Sequence, residues 1–155
     1  MSQIIPFFEG HVKHPSGRTF DQILALDDDA LERSHDVVQW IFPLPERSRA
    51  QPSAPVLTPE ELAEFRASPP LQLQVRRAAH VMAGFYAFTD PWRRPRDHNH
   101  LRITRIIRCL TLVNQNVHAR RFHDFAVANA PNVPDSVRWF WSEALLDEPA
   151  WLVRE

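Results

Sequence analysis

The sequence predicts an all-α fold, a single-domain helical bundle of about six to eight helices. Three observations predict it. Its 155 residues include only three glycines, with no Asn-Gly or Asp-Gly pair to close a hairpin. Apolar residues recur three and four apart over long stretches, and alternation is rarely sustained. Prolines and capping residues gather at the edges of those stretches, where helices start and stop.

Residues 1–16 read as an N-terminal segment and residues 17–155 as one helical domain. Pro15-Ser16-Gly17 is a turn signal. Thr19 or Asp21 is positioned to cap a short helix through Ile23, Leu24 and Leu26. Asp27-Asp28-Asp29 suits the start of the next helix, where carboxylates meet unpaired amides and the positive end of the dipole. That helix is expected to run from Leu31 to Phe42, burying Leu31, His35, Val38 and Phe42. Five prolines between Pro43 and Pro59 predict an extended, stiff loop. Thr58-Pro59-Glu60-Glu61 combines a capping hydroxyl, proline at the first position and a capping-box glutamate. A longer helix is expected over Leu71–Phe88, with Leu71, Val75, Ala78, Ala79, Met82 and Phe85 inward. Asn99 would cap a helix carrying Leu101, Ile103, Ile106, Ile107, Leu110 and Val113. Asn114-Gln115-Asn116 separates it from Val117–Ala128, where His118, Phe122 and Phe125 share a face. Asp135–Leu146 forms the last main helix.

Composition excludes several classes. Hydrophobic residues make up 44% and charged residues 24%, which argues against disorder. The net charge of −1 gives no long-range pull toward nucleic acid or an anionic membrane. Lys13 is the sole lysine among 18 basic residues, and arginine can hold a carboxylate or phosphate through two parallel hydrogen bonds. Cys109 is alone, so no intrachain disulfide can form. Met1–Gly10 does not read as a secretory signal, and Val37–Leu44 and Ile106–Val113 are too short to span a bilayer. The default location is the reducing cytoplasm.

Two stretches are more specific than composition. Leu31-Glu32-Arg33-Ser34-His35-Asp36-Val37-Val38-Gln39-Trp40-Ile41-Phe42-Pro43-Leu44 is one, and His98-Asn99-His100-Leu101-Arg102-Ile103-Thr104-Arg105-Ile106-Ile107 is the other. They resemble, in order, the "LE..H..IQWLFPL" and "HN.LRITRIL" segments of the opioid growth factor receptor conserved-region family. Phe20-Asp21-Gln22-Ile23-Leu24, Ala54-Pro55-Val56-Leu57-Thr58 and Met82-Ala83-Gly84-Phe85-Tyr86 resemble further family stretches, so the similarity covers roughly Gly17 to Leu145. What the resemblance implies is a receptor-like role: the family's named member is described as a receptor for an enkephalin peptide that restrains cell growth, associated with the nucleus and its envelope. The chain looks like a bare domain without that member's extensions and C-terminal repeats. The family pattern assigns no catalytic residues, and none are carried over.

The residues themselves offer one candidate ligand site. Arg102 and Arg105, three apart on a helix, are neighbours near its N-terminus, with His98 and Asn99 just before them. His35, Asp36, Gln39 and Trp40 are the polar cluster of the other motif, with Asp36 and Trp40 on one face and His35 and Gln39 on the next. The functional reading is a cleft between the two motif helices that takes a peptide or small anionic ligand. The structural reading is that the arginines pair with Asp36, Glu32 or C-terminal carbonyls of neighbouring helices, as a polar seam inside the core. Sequence spacing does not choose between them.

Other features bear less weight. The eight histidines contain no His-Glu-x-x-His, and neither His98/His100 nor His118/His123 is spaced for shared ligation on a helix, so no metal and no cofactor are expected. No glycine-flanked serine or phosphate loop is present, and no catalytic residue is nominated. Cys109 reads as a small core residue. Trp139, Phe140 and Trp141 cannot all face one core. One is expected either to stay exposed as an anchor for a protein partner or to be covered by Trp151 folding back. Pro91-Trp92-Arg93-Arg94-Pro95-Arg96 is a basic aromatic loop, expected to be solvated rather than to hold nucleic acid. The sequence therefore favours a non-enzymatic binding or regulatory module. An uncharacterised enzyme or cofactor-binding protein using His35, Asp36, Arg102 and Arg105 is the alternative.

Overall fold

In a computed structural model that describes residues 2–152, every regular element is helical, as expected. The chain divides into two compact units, Met1–Met82 and Ala83–Glu155. The division falls within the longest helix.

The first unit holds α1 (Ile4–Phe8), α2 (Phe20–Leu24), α3 (Asp28–Arg33), α4 (Val37–Ile41), α5 (Pro59–Ala67) and most of α6 (Pro69–Ala87). Short helices of five or six residues are too small to be stable alone, so packing must hold them. An aromatic cluster does this. Phe7 lies 5.6 Å from Phe20 and 5.2 Å from Trp40, and Phe8 lies 4.7 Å from Phe20 and 4.9 Å from Phe65, centroid to centroid. All five rings are buried, and burial of each contributes roughly 1.5–3 kcal/mol. Gln74 Nε2 donates to the Phe8 carbonyl at 2.9 Å, tying α6 to the end of α1.

Local signals fix the helix starts. Thr19 and Gln22 form a capping box on α2, as do Thr58 and Glu61 on α5. Asp27 Oδ1 accepts from the Ala30 amide at 2.8 Å at the start of α3. On α6 the expected face, Leu71, Val75, Ala78, Ala79, Met82 and Phe85, is buried throughout.

One expected helix is two. The Leu31–Phe42 periodicity predicts a continuous helix, but Ser34 adopts an extended conformation (ψ 102°) and α3 ends at Arg33. The Ser34 hydroxyl donates to the Ala30 carbonyl, a local bond that competes with helix continuation. The break re-phases the chain so that all five residues of α4, Val37 to Ile41, are buried, while His35 is left exposed. The proline-rich segment also differs from a plain extended loop. It closes on itself, with the Leu57 amide donating to the Leu44 carbonyl at 2.9 Å and Arg47 Nη1 to the Pro52 carbonyl.

The second unit holds the end of α6, a 3-10 turn at Pro91–Arg93, α7 (Asn99–Leu112), α8 (Asn116–Asn129), α9 (Asp135–Glu143) and a 3-10 turn at Ala150–Leu152. Helices α7, α8 and α9 pack pairwise. Asn114 takes a left-handed conformation (φ 67°) between α7 and α8, which asparagine tolerates better than most residues. Ile103, Ile106, Ile107, Cys109 and Leu110 are wholly buried on α7. Among the described residues, no helix is long and apolar enough to cross a membrane.

Candidate functional site

The eight residues nominated from sequence fall into the two units: His35, Asp36, Gln39 and Trp40 in the first, His98, Asn99, Arg102 and Arg105 in the second. Each group has its own geometry.

In the first unit the organising residue is one that sequence reading passed over. His14 is buried, and its Nε2 lies 3.0 Å from Asp36 Oδ1. Its ring meets Trp40 edge to face at 5.3 Å, so Asp36 and Trp40 do share a face, and His14 is what they share. The Ser16 amide donates to His14 Nδ1 at 3.0 Å. That makes Nδ1 an acceptor and leaves Nε2–H to donate to the carboxylate. Gln39 is buried. Spacing could not show His14, because the partner lies 22 residues away in a turn.

In the second unit the family-like motif builds a buried polar knot. Tyr86 Oη donates to Asn99 Oδ1 at 3.0 Å, and Asn99 Nδ2 donates to Asp97 Oδ1 at 2.8 Å. Asp97 Oδ1 also accepts from the Asn99 amide at 2.9 Å. Asn99 is the first residue of α7 rather than its cap; His98 at the cap position makes no side-chain capping bond, Asp97 accepts the first amide, and Asn99 carries the bond into the core. His100 Nε2 meets the Trp92 carbonyl at 2.8 Å, and Trp92 Nε1 is shared between the Tyr86 and Thr89 carbonyls at 2.9 and 2.8 Å. Trp141 Nε1 donates to the His100 carbonyl at 3.1 Å. Trp92 is wholly buried and stacks on Phe125, so the basic loop is anchored by its aromatic residue while Arg94 and Arg96 face solvent.

Arg102 is 7% exposed, while Arg105 is half-buried and His98 exposed. A third arginine on α7, Arg108, is 4% exposed and donates from Nη1 to the carbonyls of Leu146 and Asp147 at 3.0 and 3.1 Å. This arginine, three residues beyond Arg105, ties α7 to the turn that follows α9.

Two clusters have the residue types of a hydrolytic triad, and physics separates them from one. Ser16 Oγ lies 2.8 Å from His14 Nδ1, but that nitrogen already accepts the Ser16 amide, so its lone pair is not free to take the hydroxyl proton. Asp124, His123 and Ser142 connect at 2.8 and 3.0 Å. Ser142 sits inside α9, and the amides of Ala144, Leu145 and Leu146 donate to the carbonyls of Phe140, Ser142 and Glu143. None of these amides can serve a developing oxyanion, and both Asp124 and Ser142 are exposed. The bond ties α8 to α9. Among the described residues no three His, Cys, Asp or Glu side chains gather as metal ligands.

At the C-terminal end Trp141 is buried while Trp139 and Phe140 are 40% and 43% exposed. Trp151 does fold back, 6.3 Å from Trp139 and 5.5 Å from Phe140, and covers them only in part.

The model of the opioid growth factor receptor conserved region matches residues 4–90, more than half of the chain. The chain belongs to this family. Opioid growth factor receptors of Rattus norvegicus, Homo sapiens and Mus musculus are 33%, 31% and 34% identical to it over 117, 128 and 100 residues. These matches cover 62%, 68% and 53% of this chain but only 20%, 19% and 16% of the receptors. The chain thus spans about a fifth of the length of these relatives. No solved structure matches it. The family match contains His14, Asp36, Trp40 and Tyr86, whereas Trp92, Asn99, His100 and Trp141 of the knot lie beyond it.

Proposed function

We propose that this chain is a non-enzymatic binding or regulatory module of the opioid growth factor receptor family, acting in the cytoplasm and recognising a peptide or small anionic ligand. Its relatives are named as receptors for an opioid growth factor, and membership of that family is the observation that carries the reading. The internal use of the two motifs fits it. Trp40, Gln39 and Asn99 lie inside their units, so they hold α4 and α7 in shape. Arg105 on α7 and His98 just before it, and separately His35 and Asp36 beside α4, retain solvent access and are the side chains of the nominated set able to meet a ligand.

An enkephalin peptide, titrated against the full chain by calorimetry, tests the reading. Arg105→Ala is expected to weaken binding about tenfold, the loss of one charge-assisted bond. Arg102→Ala separates the two roles of these arginines: lower stability assigns Arg102 to the fold, and lost affinity at constant stability assigns it to the ligand. Heat of binding equal in wild type and Arg105→Ala would remove α7 from the site. The partly covered Trp139–Phe140–Trp151 cluster supports a second reading, a docking point for a protein partner.

A further inference from the structure

The side chains of α6 that face away from its buried stripe, Leu73, Arg76, Arg77, His80 and Val81, recur at three- and four-residue spacing and line one groove with Asp21 and Leu24 of α2. The groove lies wholly within the first unit, has a volume of about 410 Å³ and is open to solvent. Its charges are unequal in status. Arg77 Nη1 donates to Asp21 Oδ1 at 3.0 Å, and its guanidinium sits 6.0 Å above the Phe20 ring. The acid is thereby matched, and no acceptor among the described residues answers the adjacent Arg76 or His80 one turn further along. Leu24, Ala25, Leu73 and Val81 supply the apolar part of the lining beside this cation, and Leu73 is 51% exposed.

A guanidinium between aliphatic side chains selects a carboxylate with an apolar group attached, because the carboxylate accepts two parallel N–H bonds while the attached group displaces water from leucine and valine. From Leu73 to Val81 the helix rises by roughly 12 Å, the length of about four extended residues. An aliphatic chain alone would need an enclosed cavity to bury most of its surface, whereas an open groove of this length suits a peptide. We propose that the α2–α6 groove docks the carboxyl-terminal end of a peptide with apolar last residues, with the terminal carboxylate on Arg76. The site is separate from the α7 residues invoked above and does not depend on them.

N-acetyl-Leu-Leu-Leu with a free carboxylate, its carboxamide, and decanoate, each titrated into methyl-labelled full chain and followed by NMR, form the test. The acid is expected to shift the methyl signals of Leu24, Leu73 and Val81 and to bind about tenfold more tightly than the amide. Arg76→Gln is expected to abolish that difference without lowering the melting temperature, since Arg76 has no bond to lose among the described residues. Arg105→Ala is expected to leave it intact, so the two sites fail separately. Equal binding of acid and amide, shifts confined to other residues, or no shift at all overturns the proposal. Tighter binding of decanoate at the same three methyls overturns the peptide as occupant.

Discussion

The two units handle buried polarity differently. In the first, the buried core is apolar apart from His14 and Gln39, and His14 bonds to a carboxylate that is 35% exposed. In the second, Tyr86, Asn99, Trp92, His100 and Trp141 are all buried and pass hydrogen bonds among themselves and nearby carbonyls. A buried group whose partners are all internal loses everything when one is removed, whereas a group at the rim can turn to water. The second unit should therefore be far more sensitive to polar substitution. Trp92→Ala tests the extreme, because it removes one of the two wholly buried indole rings together with the donor to two carbonyls. A loss of about 3–5 kcal/mol is expected, measured as a drop in the urea midpoint at unchanged slope.

Asn99→Ala comes next. It leaves the Tyr86 hydroxyl and the Asp97 carboxylate without the amide between them, at an expected cost of about 2–3 kcal/mol. Asn99→Asp keeps the acceptor for Tyr86 but sets a second carboxylate against Asp97, so it should be no milder. If Asn99→Ala melts like the wild type, the knot contributes no stability and the comparison between the units collapses.

These residues also mark how far the sequence could be read. Periodicity located α6 because each of its inward positions depends only on neighbours three and four residues away, and Thr19, Asp27 and Thr58 announced their caps for the same local reason. The failures are long-range. Nothing between Leu31 and Phe42 shows that His14 holds Asp36, or that the helix breaks at Ser34 to bury five consecutive residues of α4. Asn99 looked like a cap because it precedes an apolar run; only the folded position of Tyr86, 13 residues earlier, turns it inward. Trp92 looked like part of a solvated basic loop, and a signal was available: tryptophan between prolines is a costly residue to expose. Of the nominated site, the shared face of Asp36 and Trp40 was legible, and the residue joining them was not.

Asp97→Ala is a finer probe. Asp97 accepts the first amide of α7 and anchors the Asn99 side chain, and its own side chain is 11% exposed. Loss of a capping carboxylate costs about 1 kcal/mol, and the freed Asn99 amide adds to that. The expected total of roughly 1–2 kcal/mol lies between the knot and the rim, read from the same urea titration.

The smallest effect is expected at Asp36. With a third of its side chain in water, its bond to His14 resembles a surface pair, which contributes about 0–1 kcal/mol. Asp36→Ala should therefore cost about 1 kcal/mol, and Asp36→Asn less, because the amide oxygen can still accept from Nε2–H. The tautomer gives an independent readout. The Ser16 amide fixes Nδ1 as the acceptor, so the two ring nitrogens should show distinct NMR shifts, with the proton on Nε2, in wild type and Asp36→Asn alike. A loss at Asp36→Ala as large as that at Asn99→Ala would mean that water does not reach the His14 ring, and the rim of the first unit would then be as closed as the knot of the second.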